Sequence, residues 1–327
     1  MILTRRGFRW PVASAGCLIL LIAASVGTLP WTLRWYDVQE LDRAIRHAPA
    51  SSPVVSVDHY THASVGGAGS QAEDPVVRVL HQTSSWFGHD DLGRSVLFRV
   101  LPGFLVSLAI GMSAACVALV IGVLWGSVAA LGGGRVDLIM MRIVDVLFGL
   151  PYILMVVLLK MALTPLLRGF FGASARSADI VILLIAIGAV SWLTLSRVVR
   201  GQVLSLKHQP FVEAARAAGA GPAHILCRHL LPNLVGPVIT YATLVVPQAI
   251  LQESFLSFLG IGVQPPTPSL GRLAADGVEA VNTFVGYWWL LLFPCGTLVV
   301  TLLSLNFLGD ALRDVFDPKS RAVEATV

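Results

Sequence analysis

Charge is what this sequence has least of. Asp, Glu, Lys and Arg make up 13% of its 327 residues and hydrophobic residues 55%, whereas a soluble domain carries roughly 25% charged residues. A mean hydropathy of +0.76 excludes an ordinary soluble chain and indicates an integral membrane protein. Cysteine is scarce too. Cys17, Cys116, Cys227 and Cys295 stand in or beside apolar runs without metal-ligand spacing, and read as small packing residues, not as a disulfide framework. A G-x-x-x-x-G-K-[ST] phosphate cradle is missing, because the glycine clusters at 66–69 and 132–134 lack the lysine and hydroxyl that must follow. The chain therefore does not hold ATP in that way. Nor is there the residue-by-residue alternation of a transmembrane barrel, or an internal repeat supporting an inverted-repeat secondary transporter.

What is present is a series of charge-free stretches, at 10–33, 100–134, 146–159, 180–196, 230–252 and 280–309. About 20 residues of helix cross the hydrocarbon core, so these read as six spanning helices. The expected fold is all-α, a polytopic membrane helix bundle. The first stretch exceeds the length of a signal-peptide core and closes on no small-x-small cleavage site, so a retained anchor is expected.

Six spans put both termini on one side. With the amino terminus inside, the inner segments hold 13 Lys+Arg against 7 Asp+Glu and the outer ones 10 against 12. That bias places both termini in the cytoplasm. Net positive charge here orients a membrane protein and does not call for nucleic acid.

Between the spans, 34–99 forms an extracytoplasmic segment rich in Ser, Gly, Ala and His. Asp58, His59 and His62 there read as solvated residues, not metal ligands. Gly132, Gly133 and Gly134 suit a cytoplasmic turn after span two, whose many small residues allow close helix packing. Span three is expected to start near Asp145, with Arg142 and Asp145 as anchors at its inner edge, Lys160 at its outer edge and Pro151 inside it. Ser174 lies in an expected external loop without the context of a serine nucleophile, which leaves no basis for an intramembrane protease.

The segment 211–233, "FVEAARAAGAGPAHILCRHLLPN", breaks this apolar pattern on the cytoplasmic side. Pro210 suits a first helical turn and the alanine-rich run has high helix propensity. Gly219 stands where a helix ends in a left-handed residue, and Pro222 opens a second short helix to about Leu231. Pro232 is expected to break the pattern before span five. From physics alone this is either an amphipathic connector on the membrane or a helix-turn-helix whose alanine face admits another protein.

The spacing Glu213-Ala214-Ala215, then Gly219, then Leu231-Pro232 resembles the signature of membrane subunits of ATP-binding-cassette (ABC) importers. "FGHDDLGRSVLFRVLPGFLVSL", "MRIVDVLFGLPYILMVVLL", "VVRGQVLSLK", "SFLSFLGIGVQPPTPSLGRL" and "NFLGDALRDVFDP" resemble, in order, the dipeptide and oligopeptide branch of that family, over about residues 80–318. The resemblance implies a type I ABC importer transmembrane fold with a permease domain at 100–309. It makes 1–33 the cytoplasmic N-terminus and first helix, and 310–327 a cytoplasmic tail. It further implies that 199–233 is the coupling loop, where Glu213, Ala214, Ala215, Gly219, Ala220, Gly221, Leu231 and Pro232 dock an ATPase. Asp90, Gly93 and Arg94 belong to the external family motif. The sequence departs from that motif at His89, Ser95 and Phe98, outside the membrane, where substrate or binding-protein preference would be affected. His229 replaces a commonly aliphatic residue.

On this resemblance the chain is a transport subunit, not an enzyme, in a bacterial inner membrane. It would form half of a pathway for di- or oligopeptides together with a second permease subunit, two cytoplasmic ATPases and an extracytoplasmic solute-binding protein. ATP and Mg²⁺ would be bound by the ATPases and no cofactor by this chain. Nickel, glutathione, antimicrobial peptides and oligosaccharides are alternative cargoes, and a secondary transporter is an alternative class. Among ionisable and polar residues in the membrane zone, Glu253 and Asn306 are the candidates to line the path. The proline-rich stretch 262–272 is expected to be a rigid external ledge or a cap on the bundle.

Overall fold

The structure is a computed structural model that describes residues 9–35, 87–171, 175–281 and 287–316. Asp58, His59, His62, Ser174 and the polar tail from 317 onward lie outside the described residues. The long helices are α1 (Arg9–Trp35), α2 (Val96–Gly132), α3 (Gly134–Phe148), α4 (Tyr152–Phe171) and α5 (Ala175–Leu206). They are followed by the short α6 (Pro210–Ala217) and α7 (Pro222–Ile225), then α8 (Leu231–Phe258), α9 (Leu270–Ala280) and α10 (Trp288–Phe316). Among the described residues five helices are long and apolar enough to cross a membrane, or six if α3 and α4 together make one broken span.

Two expectations about helix continuity are corrected. The third span is not one helix containing Pro151: α3 ends at Phe148, α4 begins at Tyr152, and the two meet at 98°. The residue before a proline is pushed out of helical geometry, so Leu150 and Pro151 make the corner. Conversely, Pro232 does not break its segment. Residues Leu226–Leu230 form a π-helical turn that joins α7 to α8, with the Leu231 N–H bonded to the Leu226 carbonyl, a step of five residues. The wider turn changes which carbonyls need donors, and Asn233 Nδ2 donates to the His229 carbonyl at 2.6 Å.

The described chain divides into two compact units. Among the described residues, one comprises 9–15, 110–252 and 303–316, and the other 16–35, 87–109 and 253–302. In the first unit α2 lies against α5 so closely that a Cβ at Gly126 would meet the Arg200 backbone nitrogen at 2.9 Å. Small residues replace the hydrophobic drive that lipid cannot provide. The α3 helix is tethered to α5 by polar contacts: Arg200 forks onto Asp137, and Arg197 reaches Asp145 at 2.8 Å. At one end of this unit Leu195, Val199 and Val203 of α5, Ala130 of α2 and Leu234 of α8 enclose Val212 and Ile225 of the two short helices.

In the second unit α9 is an element the sequence reading missed, having treated 262–272 as a loop. It starts at Leu270, capped by Ser269, whose hydroxyl accepts the Arg272 N–H. Leu270, Leu273, Ala274 and Gly277 make its buried stripe.

Candidate functional site

The segment between α5 and α8 is built from local rules. Gln209 is extended, Pro210 occupies the first turn of α6, and Glu213 follows in that same turn, where a carboxylate is favoured by the helix dipole. Val212 is completely buried and fixes the rotation of α6 on the bundle. Glu213 and Ala214 are thereby left exposed and Ala215 half-buried. The helix closes in a Schellman arrangement: Gly219 N–H bonds the Arg216 carbonyl and Ala220 N–H the Ala215 carbonyl, each at 3.0 Å. Gly219 has φ +87°, a conformation that glycine adopts without steric cost. Gly221 is extended and Pro222 starts α7.

These residues surround a concave surface of about 600 Å³. Ala215 and Ala218–Gly221 line it along with Phe211, His224 and His229. The structure thus brings Ala215, Gly219, Ala220 and Gly221 together, sets Glu213 and Ala214 on the exposed part of the same short helix, and puts Leu231 and Pro232 at the start of α8. Phe211, His224 and His229 were not singled out as lining residues. Phe211 stands four residues before Ala215, a helical spacing readable in the sequence. The histidines are five apart, which would turn them away from each other on an α-helix. The π turn brings their rings to 5.9 Å, with Phe211 6.4 Å from His229.

The external motif makes a compact turn. Asp90, almost wholly buried, accepts from Leu92 N (3.0 Å) and Arg94 N (2.8 Å) through Oδ1, and from Arg94 Nε and Arg99 Nη1 (2.8 Å each) through Oδ2. Gly93, at φ +73°, lets the chain reverse. The other arm of Arg99 donates to Asp276 at 3.0 Å, which joins the turn to α9. The departures from the family motif, His89, Ser95 and Phe98, are all buried. Their side chains therefore pack within the protein, so any effect on substrate or binding-protein preference would be indirect.

Glu253 is fully enclosed in the second unit. Ser257 Oγ donates to it at 2.8 Å and Ser254 Oγ at 3.3 Å, and the hydroxyls of Ser107 and Ser269 lie beside the carboxyl. Ser257 Oγ in turn accepts from Val263 N, and Ser107 Oγ from Leu270 N. Through these serines the site links α8 to the 259–269 loop and α2 to the start of α9. Asn306 lies exposed on α10. Among the described residues no group of three His, Cys, Asp or Glu is arranged to hold a metal.

The described residues make an all-helical membrane fold, whose five or six candidate spans are interrupted by a short-helix pair. The MetNI methionine ABC transporter, solved in inward-facing conformations, shares it: a chain of that structure matches with TM-score 0.53 and 20% identity over 68% of this chain and 97% of that one. The family follows from sequence. Residues 118–322 match the binding-protein-dependent transport system inner membrane component. The oligopeptide transport system permease protein OppC of Bacillus subtilis (strain 168) is 43% identical over 236 residues, 72% of each chain. The dipeptide transport system permease protein DppC of the same organism is 43% identical, over 72% of this chain and 69% of that protein. OppC of Escherichia coli (strain K12) is 46% identical, over 73% and 74%. The chain belongs to the binding-protein-dependent transport system inner membrane component family. It is a non-catalytic permease subunit of an ABC transporter in the inner membrane, and membership implies ATPase and binding-protein partners.

Proposed function

We propose that this permease forms half of the translocation pathway for di- or oligopeptides, paired with a second, related permease subunit and driven by two cytoplasmic ATPase subunits. Both termini are cytoplasmic, 34–99 is an extracytoplasmic segment, 100–309 is the permease domain and 310–327 a cytoplasmic tail. The peptide cargo is supported by the oligopeptide and dipeptide permeases among its relatives.

The observation that carries the energy-coupling role is the concave, small-residue surface at 211–229, pinned by Val212 and closed by the left-handed Gly219. Alanine and glycine at its floor let another protein's backbone approach closely. Glu213 at its edge offers a charged hydrogen-bond acceptor. Closure of the docked ATPases would move α6 and α7. Since Val212 and Ile225 are packed on α5 and α8, that motion is transmitted to two spanning helices.

The test is to tag the chain in its native membrane, solubilise it gently and identify what co-purifies. Two ATPases, a second permease and a binding protein carrying peptide are expected. Recovery without any ATPase, under conditions that hold a known importer together, refutes the docking role. A binding protein loaded with metal or sugar refutes the cargo.

A further inference from the structure

A separate cavity of about 310 Å³ lies within the first unit, lined by the α3–α4 corner, the middle of α5 and one face of α8. Its volume is at the small end of ligand pockets, about 300–1,000 Å³. Tyr241, Val245, Gln248 and Gln252 follow one another at helical spacing along α8 and make one wall. Counted from Pro232, this wall spans about 14 to 30 Å of helix, within the depth of the hydrocarbon core.

The chemistry of the lining is unusual for a membrane interior. It contains no Asp, Glu, Lys, Arg, His or Cys, yet it carries two glutamines, two tyrosines, Ser191 and Thr194. Arg197, beside the lining, stacks on Phe148 at 4.1 Å while paired with Asp145. Tyr152 Oη donates to Gln252 Oε1 at 2.6 Å, which orients the Gln252 amide so that its N–H donors remain for a ligand, while Ser191 Oγ, 3.3 Å from the same oxygen, donates to the Ile187 carbonyl at 2.9 Å. Gln248, one turn away, also lines the cavity and is exposed.

We infer that this cavity is a cargo-contacting site that binds the main-chain amides of a peptide through uncharged donors and acceptors, with Gln252 and Gln248 as principal contacts. The inference rests on the permease reading above. Glutamine amides complement peptide N–H and C=O groups equally and carry no charge that would sort peptides by their side chains. A site for a divalent cation would need carboxylate, imidazole or thiolate ligands, none of which lines it. The Tyr152 bond also joins the broken span to α8, so the site's geometry depends on the 98° corner.

The experiment uses the assembled importer with its binding protein in proteoliposomes and measures uptake of tri-lysine, tri-alanine and tri-aspartate peptides. Gln248→Glu raises the lysine-to-aspartate uptake ratio by about two orders of magnitude over wild type, because one charge at roughly 10 Å in a medium of effective dielectric about 20 favours a lysine side chain and disfavours an aspartate by roughly fifteenfold each. Gln248→Lys lowers the ratio by the same factor, and Thr194→Asp, on the opposite wall, shifts it as Gln248→Glu does. Gln248→Leu raises KM for all three peptides alike. A change of sign between Glu and Lys is something a purely structural disturbance does not produce. An unchanged ratio in all charged variants that still transport overturns the inference. So does loss of uptake in every charged variant while Gln248→Leu remains fully active. A wild-type complex that moves trisaccharide and no peptide refutes the peptide cargo itself, which separates that failure from the site's.

Discussion

Replacing Gly219 by valine tests the coupling turn at its most sensitive point. The residue sits at φ +87°, and a Cβ built there meets nothing within 4 Å, so the substitution has room and only the backbone resists. The cost of holding a non-glycine residue in the left-handed region is about 1–2 kcal/mol, and a β-branched side chain is at or above the upper end. At about 1.4 kcal/mol per factor of ten, 2 kcal/mol reduces the population of the observed turn by about thirtyfold. Alanine, at about 1 kcal/mol, reduces it about fivefold, and asparagine, which visits this region more readily, least. Because Val212 still anchors α6, the protein should insert and fold, and the defect should appear as ATP hydrolysis uncoupled from uptake. The assay is peptide uptake per ATP hydrolysed in the reconstituted complex, with membrane abundance as the control for folding. The expected order is Gly, Asn, Ala, Val. Wild-type coupling in Gly219→Val would refute the requirement for a left-handed turn at the docking surface.

Val212→Ala should loosen α6 by about 2 kcal/mol, from lost burial and the cavity left behind, and should make the 207–222 segment more sensitive to limited proteolysis. Arg99→Met, which removes one of the two guanidinium groups on the buried Asp90 while Arg94 stays, should cost about 1.5–3 kcal/mol, read as a fall in the melting temperature of the solubilised protein. Asp276→Asn, at the half-exposed end of the same network, should cost about 1 kcal/mol or less. Equal effects from the two would contradict the burial difference on which the ranking depends. Glu253→Ala should destabilise the second unit more than Glu253→Gln, because alanine leaves several serine hydroxyls without their acceptor whereas glutamine keeps one oxygen. Thermal unfolding checks that order.

Much of the bundle was legible because membrane insertion depends on a property of consecutive residues. The runs at 10–33, 100–134 and 230–252 correspond to α1, α2 and α8 because a charge-free stretch of that length has no other stable place. Gly219 was legible for a related reason: a glycine after an alanine-rich run, followed by a proline, leaves the backbone few alternatives. The α9 helix escaped notice because its 11 residues include two glycines, Asp276 and Glu279. Its apolar stripe has the right period, but it is short and follows three prolines, so tertiary burial and not propensity stabilises it.

The sequence by itself therefore determined that the chain lies in a membrane, roughly where it crosses and which segment interrupts the crossings, since these follow from hydrophobic length and from local backbone preference. Only the tertiary structure decided the rest. The 98° corner requires a neighbour to receive α4, and the approach of His224 to His229 requires a π turn in place of an α turn. The Glu253 hub gathers serines from positions 107 to 269, and the glutamine-lined cavity joins Tyr152, Ser191 and Gln252 across 100 residues. Each of these depends on how helices rotate and lean against one another. Packing sets that relation over the whole bundle, and no run of neighbouring residues encodes it.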